Sequence, residues 1–141
     1  MRSVSLYILL PALLLAVAYI IFLGDRTDYA GHYMAGFGGT LFWIAAAFHL
    51  RQNQSPKISP ELLTALVVLA CIAFGTLLEA TVFRLAKFDE VDYFNQNLGA
   101  IIAGISSLAV HADPETSPAA VLPSMIIATI FLFAGFVYAF A

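Results

Sequence analysis

The chain has 141 residues, is 62% hydrophobic and 11% charged, and carries a formal net charge of −3, with a mean hydropathy of +0.92. Soluble domains carry about 25% charged residues, so this composition excludes a water-soluble domain, and a weakly acidic chain without a basic patch is excluded as a nucleic-acid binder. Its single cysteine, Cys71, allows no internal disulfide and sits in no metal-binding Cys/His spacing; no metal and no cofactor are implied.

A membrane span takes about 20 apolar residues, and the pattern predicts an all-α polytopic membrane protein, a bundle of five transmembrane helices. They form a single membrane domain, 1–141, with spans at about 4–23, 29–50, 62–85, 92–110 and 119–141. Arg2 followed by an apolar run resembles a cleavable signal, but the run continues to Leu23 and is long enough to span. Pro11 within it removes one backbone donor and predicts a kink. The link Gly24–Asp28 offers Thr27 or Asp28 as N-cap of the second span. That span opens with His32 and carries a small-residue row, Gly31, Ala35 and Gly39, that lets another helix approach closely. Ser59-Pro60-Glu61 reads as cap, first-turn proline and dipole-facing acid at the start of the third span. Gly99, Ala100, Ala103, Gly104 and Ser107 give the fourth span a second small face. The fifth holds no charge and is expected to face lipid or a partner.

Five alternating spans place the first and third connections on the same side of the membrane. That side collects Asp25, Arg26, Asp28 and His32 from one hairpin and Glu79, Arg84, Lys87, Asp89, Glu90 and Asp92 from the other. Most of the chain's acids gather there. Basic residues divide evenly between the two sides, so the positive-inside rule alone does not orient the protein; the N-terminal amine, and acids beside Arg84 and Lys87, place the N-terminus in the cytoplasm. The expected location is a bacterial inner (cytoplasmic) membrane.

Glu79, counted on a helix running to residue 85, lies roughly 9 Å deep. An acid inside a span marks a functional site by default, with His32, Arg84 or Lys87 as its partner; otherwise it is a hydrogen-bonding post between helices. Asp28 and His32, four apart, share a helix face. They form either an oriented carboxylate–imidazole pair or a cap beside an interfacial ring. Asp92 and Gln96 repeat the spacing, flanked by Asn95 and Asn97, amides that either bind a headgroup or sugar or satisfy one another. His49 and His111 fall at the opposite side, at helix ends, and read as interfacial side chains rather than as a haem or pigment pair.

In order and membrane placement these residues resemble the VanZ-like family of small bacterial membrane proteins. The matching positions are Asp28 and His32 at the start of one helix, Glu79 near the end of another, and then Asp92, Gln96 and Gly99. The resemblance covers about residues 28–104. It departs from the family at Val82, where a Gln is usual, at Lys87, which stands in for a Pro-Gly-Arg turn, and at Gln96 or Asn97, where an Asn is usual. It implies a protein of the bacterial envelope, linked in its founding member to glycopeptide resistance. The expected function is binding, or modification, of an envelope lipid or cell-wall-related molecule by Asp28, His32, Glu79, Arg84, Lys87, Asp92, Gln96 and Asn97. The alternative is a non-catalytic accessory subunit of a respiratory or photosynthetic complex, contacting other subunits or copies of itself through the small faces of spans two and four and through span five. No GxSxG, HExxH or phosphate loop occurs, so a familiar enzyme class is disfavoured.

Overall fold

The computed structural model describes residues 2–52, 58–81, 89–111 and 117–139. They form five helices, α1 (Arg2–Phe22), α2 (Thr27–Arg51), α3 (Pro60–Thr81), α4 (Glu90–His111) and α5 (Ser117–Ala139), with no strand among the described residues. Arg84 and Lys87 lie outside the described residues.

Local chemistry sets the helix starts. Ser59 caps α3, its Oγ accepting from the Leu62 amide at 3.2 Å. Asp89 caps α4, its Oδ1 accepting from the amides of Val91 at 2.8 Å and Asp92 at 3.4 Å; these would otherwise be orphan donors of the first turn. The start of α2 differs from expectation. Arg26 occupies the cap position (φ −129°, ψ 66°) and no side chain caps the turn. Neither Thr27 nor Asp28 does so, because Asp28 lies inside the first turn and is drawn back onto Arg26.

Among the described residues three helices, α2, α3 and α5, are long and apolar enough to cross a membrane. The expectation of five spans is reduced to these three on length and composition. In α1 the apolar stretch among the fully described residues is Leu6–Phe22, and α4 spends its length on Glu90, Asp92, Asn95, Gln96, Asn97, Ser106, Ser107 and His111. Much of that polarity points inward: Asn95, Ser106, Ser107 and His111 are buried.

The organising helix is α2. Tyr33, Phe37, Leu41, Ile44 and Phe48 run along it at helical spacing and are all buried, a core stripe of period near 3.6. Its most extensive neighbours are α5 and α4. Phe37 meets Phe131 of α5 with ring centroids 4.9 Å apart, and Tyr33 stacks on Tyr19 of α1 at 5.5 Å. Contact with α4 is close because glycine occupies both sides of it. A Cβ on Gly36 would strike the Gln96 backbone carbonyl, and one on Gly99 would lie 2.7 Å from the Phe37 amide nitrogen. Such approach maximises dispersion contact between helices, the main source of association in lipid. The small-residue faces of α2 and α4 are thus filled from within the chain. On the outer surfaces Phe22, Leu69, Phe74, Leu122 and Phe133 are exposed.

Candidate functional site

At the end of the bundle where α2 and α4 begin, both hairpins contribute ionisable side chains. The Arg26 guanidinium grips Asp28, its Nε donating to Oδ1 at 3.1 Å and its second nitrogen to Oδ2 at 2.8 Å. It lies 3.8 Å from the centre of the Tyr29 ring and 3.9 Å from Asp89 Oδ2 on the other hairpin. The neighbouring carboxylates push the Arg26 pKa upward, the hydrogen-bonded Asp28 most strongly. Arg26 therefore links the α1–α2 turn to the N-cap of α4, on an exposed rim where such pairs contribute little stability.

One layer inward, His32 Nε2 lies 3.5 Å from Asp92 Oδ2, with side chains 26% and 15% exposed. Neither alternative for Asp28 and His32, an oriented pair or a cap beside an interfacial ring, describes these contacts. Asp28 is captured by a guanidinium two residues away, and the imidazole turns to α4 instead. Asp92 uses only one oxygen: its Oδ1 is buried without a hydrogen-bond partner. Asp28, Asp89 and Arg26 also act electrostatically on this carboxyl. An imidazole beside a carboxylate can hold and pass a proton, and a carboxylate oxygen without a donor is an acceptor site.

The flanking amides do not form one cluster, because successive residues of a helix point about 100° apart. Asn95 is 3% exposed; its Oδ1 accepts from the Tyr19 hydroxyl of α1 at 2.6 Å, while its Nδ2 is buried and unpartnered. Gln96 turns to α3, where its amide occupies the notch left by Gly75. Asn97 is half-buried, with an unpartnered Oδ1. Beside it on the same face, Tyr93 shares a hydrogen bond with Thr76 of α3 at 3.1 Å. Glu79 is half-buried and shares the α3 face of Gly75 and Thr76 by spacing. The described residues show it paired with neither His32 nor Asp92. Its expected depth was counted through residues 82–85, outside the described part. Among the described residues no group of three His, Cys, Asp or Glu is arranged to hold a metal ion.

Two features escaped the sequence reading. Tyr19 reads as one more aromatic near a helix end, yet its hydroxyl fixes Asn95. His111 reads as an interfacial ring at the opposite end but is 0% exposed. It stacks on Phe48 at 4.5 Å and 12°, with Nδ1 3.2 Å from Ser117 Oγ and Nε2 3.5 Å from Ser124 Oγ. The available signal was the seven-residue spacing of Ser117 and Ser124, two turns of one face of α5. His49, by contrast, is exposed, and the two histidines share no site.

Fold and site together define an all-helical protein with three membrane-crossing candidates and a polar end built from two hairpins. No family model, curated protein or solved structure matches the chain.

Proposed function

We propose that the chain is a five-span protein of the bacterial inner membrane, similar to the VanZ-like proteins, whose α2–α4 end binds the polar part of an envelope lipid or cell-wall-related molecule. The N-terminus is cytoplasmic in this reading, which puts the site on the outer side. α1 and α4 cross the membrane in this reading because α2, α3 and α1 cover most of the polar residues of α4. The observation that carries the proposal is Asp92, whose Oδ2 faces His32 while its buried Oδ1 has no donor. A buried unpartnered acceptor costs about 1–3 kcal/mol, a cost that a ligand's hydroxyl or amine would relieve. Around it, Arg26 and His32 supply donors for an anionic headgroup, while Asp28 and Asp89 favour a group that also carries hydroxyl or amine hydrogens.

The test is native mass spectrometry of the purified full chain loaded with phosphatidylglycerol or undecaprenyl phosphate. Wild type is expected to retain one of them, with retention lost in Asp92→Asn and His32→Ala. Equal retention by both variants would remove the site from consideration. A role as accessory subunit draws support only from the exposed apolar sides of α1, α3 and α5, since the small-residue faces are occupied internally; co-purification of a second chain in mild detergent would favour it.

A further inference from the structure

Two buried polar atoms near the start of α4 lack partners, and they are of opposite kind. Asp92 Oδ1 needs a donor, and Asn95 Nδ2 needs an acceptor. Three residues apart, they sit on the same face of α4, where Cβ atoms are about 5–6 Å apart. An oxygen making two hydrogen bonds of about 2.8 Å at a tetrahedral angle joins atoms about 4.6 Å apart, a separation that side chains carried on such neighbouring Cβ atoms can present. Each residue is fixed from its other atom: Asp92 by His32 of α2, Asn95 by the Tyr19 hydroxyl of α1. Tyr19 in turn stacks on Tyr33, the residue following His32. The two orphan atoms therefore border the seam where α1, α2 and α4 meet, and Asn95 is 97% withdrawn from solvent, being 3% exposed.

We infer that this seam holds a single O–H group that donates to Asp92 Oδ1 and accepts from Asn95 Nδ2. It completes a chain from His32 through Asp92 and Asn95 to Tyr19. An anion does not fit, having no hydrogen for the carboxylate, and a metal ion does not fit, because Nδ2 offers no lone pair. The O–H belongs either to an internal water, which requires two to four polar partners, or to a hydroxyl of a polyol headgroup. This deepens the proposed reading of the α2–α4 end, and its test separates the two.

The experiment is a density map showing ordered waters, from the full chain in nanodiscs of phosphatidylglycerol and, separately, of phosphatidylcholine, which has no headgroup hydroxyl. An isolated oxygen-sized feature within hydrogen-bond reach of both atoms in both lipids supports the inference with water as the source, and leaves headgroup binding without support here. A feature continuous with a headgroup, present only in phosphatidylglycerol, supports it with lipid as the source. No feature at the two atoms, or a direct Asp92–Asn95 hydrogen bond, overturns it. Asn95→Leu keeps the size of the side chain but leaves no polar partner at that position, and is expected to abolish the feature. Persistence of the feature in that variant would also overturn the assignment.

Discussion

Replacing Gly38 with alanine, and separately its neighbour Gly39, isolates the helix-packing argument on adjacent residues of α2. Both substitutions gain the same intrinsic helix preference, about 0.5–1 kcal/mol. Their surroundings differ. A Cβ on Gly38 would stand 2.5 Å from the Leu132 amide nitrogen and 2.6 Å from the Ala128 carbonyl oxygen, both backbone atoms of α5. A Cβ on Gly39 would meet only Leu132 Cδ1, at 3.8 Å, an ordinary contact. Restoring van der Waals distance at Gly38 moves α5 away from α2 by nearly 1 Å, and overpacking of that kind costs about 1–3 kcal/mol. Since helix preference cancels between the variants, that cost is their expected difference, roughly 5- to 140-fold in the folding equilibrium. The assay is loss of helical circular dichroism during titration from mild detergent into dodecyl sulfate. Gly39→Ala should match or exceed wild type, and Gly38→Ala should unfold at markedly lower denaturant. Coincident curves for the two variants would refute the claim that α2 and α5 touch backbone to backbone.

Three further outcomes are expected. His111→Ala removes a fully buried ring stacked on Phe48 and should destabilise by about 3 kcal/mol; His111→Phe keeps the stack but strands two serine hydroxyls and should cost about 1–2 kcal/mol, an order the same titration checks. Tyr19→Phe and Asn95→Ala should couple by about 1 kcal/mol in a double-mutant cycle, reporting their 2.6 Å hydrogen bond. Gly75→Ala should expel the Gln96 amide from its notch and loosen α3, and Gln96→Ala should restore stability in the double variant, because the obstacle is a side chain rather than backbone.

Much of this arrangement is visible in the residues alone. Runs of apolar residues mark the helices because hydrocarbon requires long, internally hydrogen-bonded segments, and Ser59 and Asp89 mark helix starts through their side-chain oxygens. Alternation of the helices brings Asp28, His32, Asp89 and Asp92 to one end. Spacing does not decide which of them touch. Asp28 and His32 satisfy the four-residue rule, yet a guanidinium two residues before Asp28 binds it more strongly, leaving His32 to Asp92. The burial of His111 depends on how Phe48 of α2 and the start of α5 close over the end of α4, which no local pattern encodes. Likewise the central position of α2 follows from glycines matched to α4 and α5, a property of pairs of helices rather than of any one.

The partnership of α2 with α5 has a consequence for biogenesis. Chains are made from the N-terminus, so α2 exists well before α5 does. Until then the notches at Gly31 and Gly38 lack the α5 backbone that fills them. Packing around α2 is therefore complete only once residues 117–139 have been made, and a chain interrupted before residue 117 leaves that flank of α2 uncovered.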